Sequence, residues 1–349
     1  MSRGTCAARG LFAARLRFAT WTMQLTLCAA AAAEASEPQK DLFPLTQDRF
    51  GTLGCPSDES HWELTGARWF KSADCYWQAE WVPQSNVQTW LLVRPRMYFT
   101  GNNRVWNPAP REPKWHYRDK TRRFIEDHHA RIGIIALGNS IVFEDIESGY
   151  ADTDEYVAWY HDFQRFVRRL NPRIKLAPGD LQSAWGGLHG TEQLEKYLAA
   201  YRQKYGQKMP IDALGLHCYA TGNKPPTWAK PEVVSVQTFK DKIRTMRSFM
   251  KRIGLQDAAL VITEMGVFNH CCDPQLSDDR LIKIMQGAIE YMEGPEGVDR
   301  EIGMPADGYR LVQKWSYSAY PHLVHDGKLT PRGKVYRALA DKYSGRPPS

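Results

Sequence analysis

The chain has 349 residues, 43% of them hydrophobic and 24% charged, enough to bury a sizeable core in two average domains or in one large α/β barrel. Its formal charge of +7 comes from 46 basic and 39 acidic residues, and four of the basic ones lie within the first 17 positions. The remainder holds no basic stripe and no recognisable nucleic-acid-binding motif, which excludes a nucleic-acid partner from the expected functions.

Arg3, Arg9, Arg15 and Arg17 make a positive start with no acidic residue before Glu34. An apolar stretch from Phe18 to Ala33 follows, and Ala33-Glu34-Ala35 supplies small residues for cleavage. This is the layout of a secretory signal peptide over residues 1–35, which places the mature protein outside the cell or in the periplasm. A mitochondrial presequence shares the Arg-rich, acid-poor composition and is the alternative; a lipid anchor at Cys28 fits less well, because the preceding Leu27 is large. The apolar stretch is short for a stable membrane span and is interrupted by Thr and Gln.

From residue 36 to the end the pattern is that of a single domain. Short apolar runs alternate with segments of helical period, the signal of a parallel sheet wrapped by helices. Strands are expected near Phe50–Leu53, Ala67–Lys71, Trp90–Val93, Ile132–Leu137, Ile174–Ala177, Ala213–Leu216, Ala259–Thr263 and Leu311–Trp315. Eight such strands predict an α/β fold of the (β/α)8 TIM-barrel type. The clearest helix runs from about Thr153 to Leu170, with Tyr156, Trp159, Tyr160, Phe163, Phe166, Val167 and Leu170 on one face and Pro172 beyond its end. Similar stripes follow Thr191, end before Gly254, follow Ser277, and include Val335, Tyr336 and Leu339. Two places break the regularity. The connection between the second and third strands is short and rich in Trp and polar residues, so it is expected to be irregular. The stretch Thr100 to Pro113, with three Asn and three Pro, reads as a long loop beside the ligand site.

Seven cysteines are present, two of them in the leader. Of Cys55, Cys75, Cys218, Cys271 and Cys272, export would permit a disulfide, with Cys55 and Cys75 the favoured pair. The run His270-Cys271-Cys272-Asp273 lacks the two-residue gaps of a zinc site, and no second cluster answers it. No metal and no cofactor is expected, and no Gly-rich phosphate loop or nucleophile elbow occurs.

The stretch on which a functional reading turns is Leu260-Val261-Ile262-Thr263-Glu264-Met265-Gly266. A buried strand runs straight into a carboxylate at its carboxyl end, where barrels of this type carry their chemistry. The bland alternative is a Glu that caps a neighbouring helix or pairs with an Arg. Other strand ends add Gly138-Asn139-Ser140, His217-Cys218-Tyr219 and Trp315-Ser316-Tyr317.

Set side by side, these four endings resemble clan A of the retaining β-glycoside hydrolases, over roughly residues 50 to 340. The likeness extends through Asn171-Pro172-Arg173-Ile174-Lys175 to Ala177-Pro178-Gly179, in wording similar to short-barrel members acting on β-glucans or related polysaccharides. The resemblance implies action on oligo- or polysaccharide, with Glu264 as nucleophile; a monomer is expected, although the sequence itself does not specify the oligomeric state. It further implies that Asn139 binds the sugar hydroxyl beside the anomeric carbon, that His217 or Tyr219 steadies Glu264, and that Trp315 floors a sugar subsite. Arg68, Asp180 and Trp185 also stand near strand ends as candidate cleft residues.

The pattern departs from the clan at one position. Where the family carries its acid/base Glu, this chain has Ser140, whose hydroxyl cannot protonate a departing glycosidic oxygen. General acid/base help is typically worth about 10²–10⁴-fold, so its loss predicts impaired turnover rather than none. Glu144 is the nearest candidate substitute, with Asp145 and Glu147 behind it. It would have to lie about 5–5.5 Å from Glu264. A non-catalytic carbohydrate-binding protein on the same barrel is the alternative, and a barrel of unrelated chemistry is a third.

Overall fold

The computed structural model describes residues 41–54, 63–72, 88–93, 97–100, 103–106, 118–141, 153–183, 189–221, 233–267, 276–318 and 320–344. The chain divides into a unit of residues 1–41 and a compact unit of residues 42–349. The expected leader and the Cys55–Cys75 pair fall outside the described residues, as do residues 73–87 between the second and third strands and the cluster from His270 to Asp273.

Within the larger unit the elements follow in order. First come β1 (Phe50–Leu53), β2 (Trp69–Lys71), β3 (Gln88–Val93), β4 (Met97–Thr100), β5 (Asn103–Trp106), α1 (Arg118–His128) and β6 (Ile134–Leu137). Next are α2 (Thr153–Leu170), β7 (Lys175–Pro178), β8 (Leu181–Gln182), α3 (Thr191–Tyr205), β9 (Ala213–Tyr219), α4 (Val236–Arg252) and β10 (Ala259–Gly266). The last are α5 (Asp278–Glu293), β11 (Lys314–Tyr317), β12 (Val324–His325), β13 (Lys328–Leu329) and α6 (Pro331–Ser344).

Nine strands form one parallel sheet in the order β7-β6-β3-β2-β1-β11-β10-β9-β8. Its two end strands are consecutive in the chain and separated only by Gly179-Asp180. β7 pairs with β6 and β8 pairs with β9, so the two halves of one interrupted strand bring the ends of the sheet together. Below the break, the Asp212 amide donates to the Leu176 carbonyl at 2.9 Å and continues the circuit. The architecture is the (β/α)8 barrel that the spacing predicts. The eighth strand lies two to three residues later than expected; Gln313, just before it, donates its amide to the Leu260 carbonyl at 3.0 Å and accepts from the Leu260 amide through Oε1 at 2.9 Å.

Alternation along the strands sorts side chains into two layers. Phe70, Leu214, Leu216, Ile262 and Trp315 face outward to the helices, while Trp69, Trp90, Ala136, Ala213 and Val261 fill the barrel. The helices bury the stripes read from sequence: α2 buries Tyr156, Trp159, Tyr160, Phe163, Phe166 and Val167, and Ser235 and Ser277 cap α4 and α5 through their side chains. The floor is closed by Phe43, Trp69 and Lys314, whose ammonium donates to the Gln47 and Asp48 carbonyls at 2.6 and 2.8 Å and lies 4.6 Å from the Phe43 ring centre.

One expected loop is partly a hairpin. β4 and β5 pair antiparallel from Met97↔Trp106 to Thr100↔Asn103, so β5 and the end of β4 fall within the stretch read as a long loop. The signal was Gly101-Asn102 between Met97-Tyr98-Phe99-Thr100 and the half-polar Asn103-Arg104-Val105-Trp106, a two-residue hairpin pattern that the surrounding Asn and Pro obscure.

Gly51 shows how tightly the floor is packed. A Cβ there would stand 2.3 Å from Cε2 of the Trp69 indole. Gly51→Ala is therefore expected to destabilise the protein by about 1–3 kcal/mol, the usual cost of overpacking. The check is the urea midpoint at unchanged slope; a midpoint equal to that of the parent would contradict this packing.

Candidate active site

Parallel strands deliver their last residues to one rim, and this rim collects charge. β2 ends on Lys71, fully buried, with its inward direction set by alternation after Trp69 and Phe70. Its ammonium donates to Asp180 Oδ2 at 2.8 Å and Glu264 Oε1 at 2.9 Å, and lies 2.8 Å from His217 Nε2. His217, the fifth residue of β9, is itself 3.1 Å from Asp180 Oδ2 and 3.2 Å from Glu264 Oε1. Two residues on, the Tyr219 hydroxyl donates to Glu264 Oε2 in a short hydrogen bond. Gln182 Nε2 stands 3.4 Å from the other imidazole nitrogen.

Glu264 reaches this cluster through a bulge. Ile262 pairs with Leu216 and Glu264 with His217, so Thr263 is an extra residue on β10, and the register against β11 shifts at the same place. A bulge re-aims the side chains that follow it. Here Thr263 and Glu264 both engage the rim: the Thr263 hydroxyl donates to Asp180 Oδ2 at 2.6 Å, and its carbonyl accepts from Ser316. Asp180 occupies the break between β7 and β8 and rests against Gly215, where a Cβ would stand 1.8 Å from its Oδ1.

The electrostatics follow from these contacts. Burial alone would raise the carboxyl of Glu264. The charge His217 carries when protonated and the ammonium of Lys71, with hydrogen bonds from Tyr219 and Lys71, outweigh it and hold the group at about 2. Asp180 is held below the usual carboxylate range for the same kind of reason, burial being outweighed by Lys71 and His217. Burial works against the charge on Lys71, yet Asp180 and Glu264 together keep its pKa raised. Burial and the neighbouring carboxylate push the Tyr219 phenol well up, so it acts as a donor. Of Lys71, Asp180, His217 and Glu264, Glu264 is the one that opens to solvent, its side chain 13% exposed against 0% for Lys71 and Asp180 and 2% for His217.

The expected site residues divide. Glu264, His217 and Tyr219 come together in direct contact, and Asp180 joins them. Asn139 and Ser140 follow β6 after a turn at Gly138, whose φ of +109° suits glycine alone. The next residue, Ile141, donates its amide to the Asp180 carbonyl at 2.9 Å, which ties this ending to the same rim. Ser140 is buried, and its hydroxyl has no hydrogen-bond partner among the described residues. Glu144, Asp145, Glu147 and Trp185 lie outside the described residues.

Two expectations are corrected. Trp315 is not a sugar platform: it is fully buried on the outer face of the barrel, its ring 4.1 Å from Phe50 and 5.8 Å from Tyr336, with Nε1 donating to Glu293 at 3.0 Å. Alternation is the cause, since Lys314 and Ser316 take the inward positions of β11. Arg68 precedes β2 and so belongs to the opposite end of that strand; Lys71, three residues later, is the one that reaches the rim. Sequence reasoning missed Lys71, Gln182 and Thr263. The available signal for Lys71 was the one used for Glu264, an ionisable residue closing an apolar strand.

No family model matches the sequence, and none of the curated proteins does. Solved structures do. A curdlan-specific exo-β-1,3-glucanase of Blastomyces gilchristii superposes with a TM-score of 0.52 at 12% identity, covering 84% of this chain and 99% of that one. A glucosidase from Croceicoccus marinus gives 0.58 at 13% identity over 85% and 68%. An endo-β-1,3-glucanase of Amycolatopsis mediterranei gives 0.52 at 12% identity over 84% and 99%. At such identities the shared property is the fold: this barrel is one on which glycoside hydrolases are built.

A carboxyl depressed in the folded state contributes stability above its unfolded pKa and loses it as pH falls through its folded one. The parent is therefore expected to exceed Glu264→Gln by on the order of 3 kcal/mol near neutrality, with the difference vanishing between about pH 4.5 and about 2. Denaturant titrations of both proteins across that range check it; a difference independent of pH would contradict the assignment.

Proposed function

We propose that the chain is an exported retaining glycoside hydrolase acting on β-linked oligo- or polysaccharide, with Glu264 as its nucleophile. The observation that carries the reading is the state of Glu264. It is an ionised carboxylate with donors on both oxygens, at the carboxyl end of a barrel strand, and it is the one charged member of its cluster open to solvent. A carboxylate so fixed can meet an anomeric carbon without reorganising.

In this reading one oxygen of Glu264 bonds to the anomeric carbon while the bond to the leaving oxygen breaks and its electron pair departs with that group. Water later cleaves the ester and returns the carboxylate to Lys71, His217 and Tyr219. Asn139, on the same rim, is the candidate ligand for the neighbouring sugar hydroxyl. The weak point is protonation of the leaving group, because Ser140 stands at the clan's acid/base position. Glu144 is the candidate substitute. The names of the Blastomyces and Amycolatopsis enzymes make β-1,3-glucan the first saccharide to test, and the Arg-rich leader supports export.

A second reading is favoured by Ser140 itself, a buried hydroxyl with no hydrogen-bond partner among the described residues, at the position where the clan carries its acid/base Glu. On it, the protein binds β-glycan without cleaving it.

Dinitrophenyl β-glycosides separate the two readings, since their leaving group departs without a proton. Turnover is expected, rising with azide as a substitute for the missing base, and Glu264→Ala should abolish it. Ser140→Glu is expected to raise hydrolysis of unactivated glucan by about 10²-fold or more. Saccharide binding with no turnover under any of these conditions would establish the binder instead.

A further inference from the structure

The hydrolase mechanism has a stage at which Glu264 carries no charge. Once its oxygen is esterified to the sugar, the Lys71 ammonium loses one of its two carboxylate partners while remaining fully buried. An uncompensated buried ammonium is costly and tends to shed its proton. Something must hold that charge, or formation of the intermediate would work against it.

Resting on the reading above, we propose that Asp180 is a positioning residue, the standing counter-charge that keeps Lys71 an ammonium, and in place, while Glu264 is neutral. Four features of the geometry point to this role. The side-chain contacts of Asp180 among the described residues converge on one oxygen: Oδ2 accepts from Lys71 at 2.8 Å and Thr263 at 2.6 Å and lies 3.1 Å from His217. Oδ1 is buried with no hydrogen-bond partner among the described residues, so this carboxylate is directed at a single point rather than spread over a structural network. Its seat exists because Gly215 has no side chain. It is also anchored independently of Glu264, since its backbone sits in the break between β7 and β8 and accepts from Ile141.

The consequence is a division of labour between two carboxylates on one ammonium. Glu264 gives up its charge and regains it in each cycle; Asp180 never does. Lys71 is thereby kept ready to receive the carboxylate when the ester breaks down. Without Asp180, Lys71 would be matched by Glu264 alone, which favours the free carboxylate over the ester and slows the first step.

The test imitates the esterified state with Glu264→Gln and follows the Lys71 side chain by NMR with ε-¹⁵N-lysine. In Glu264→Gln, Lys71 is expected to stay protonated as pH is raised for as long as the protein stays folded. In the double variant Asp180→Asn/Glu264→Gln it is expected to lose its proton at distinctly lower pH. Equal titration in the two variants, or discharge already in Glu264→Gln, would overturn the proposal. Should the double variant not fold, Asp180→Asn alone carries the test: labelling by a dinitrophenyl 2-deoxy-2-fluoroglycoside should slow about tenfold, the equivalent of one pKa unit, with saccharide affinity unchanged. Parallel losses of rate and affinity, or neither, would overturn it. A protein that turns over nothing while Lys71 depends on Asp180 contradicts the hydrolase reading. Turnover with Lys71 indifferent to Asp180 contradicts the counter-charge alone.

Discussion

A lysine ammonium buried at the top of a closed barrel is the constraint on which the rest of this structure depends. Lys71 is fully buried, and the chain brings partners to it from distant strands: Asp180 from the β7–β8 break, His217 from β9 and Glu264 from β10. Removing one member of a buried charged set typically costs about 3–5 kcal/mol, because the charge left behind is unpaired. The arrangement therefore ties register in four strands to one point. Lys314, another buried lysine, is accommodated at the floor by the Gln47 and Asp48 carbonyls, the Gln88 side chain and an aromatic face. The same residue type closes the floor at one end and gathers the charged cluster at the other.

The local backbone irregularities serve this cluster. The bulge at Thr263 turns two consecutive side chains of β10 to the rim, and the interruption at Gly179-Asp180 lets a carboxylate enter where a regular strand would have continued. Gly215 is small because Asp180 occupies the space its side chain would need. These are departures from ideal strand geometry at the rim, while the body of the barrel below, around Trp69, Trp90 and Val261, keeps plain alternation. A stabilised Glu264 is at once well positioned and less basic, so in the proposed hydrolysis the site would rely on orientation rather than on a reactive carboxylate. That balance suits a glycosidic bond with a ready leaving group and makes the identity of the proton donor decisive.

Much of the fold was legible because its signals are local. Apolar runs of strand length and amphipathic stripes such as Tyr156–Phe163 depend on neighbours a few residues away, and all eight barrel strands were expected near where they lie. Glu264, His217 and Tyr219 were legible from their place at strand ends. Trp315 misled because strand position alone does not tell inward from outward, and a single step along a pleat reverses the face. Lys71 went unread because its significance lies in Asp180 and Glu264, respectively 109 and 193 residues away. The bulge that aims Glu264 has no residue signature; it appears only when β10 is laid against β9 and β11.

In the proposed hydrolase, Glu264 is a carboxylate poised to bond to a sugar. Incubation with a dinitrophenyl 2-deoxy-2-fluoro-β-glucoside, followed by proteolysis and mass spectrometry, tests it most directly. The account requires one fluoroglycosyl adduct per chain, on the carboxylate of Glu264, absent from Glu264→Gln. A protein that binds the reagent yet stays unlabelled, or carries the label on another carboxylate, would contradict it.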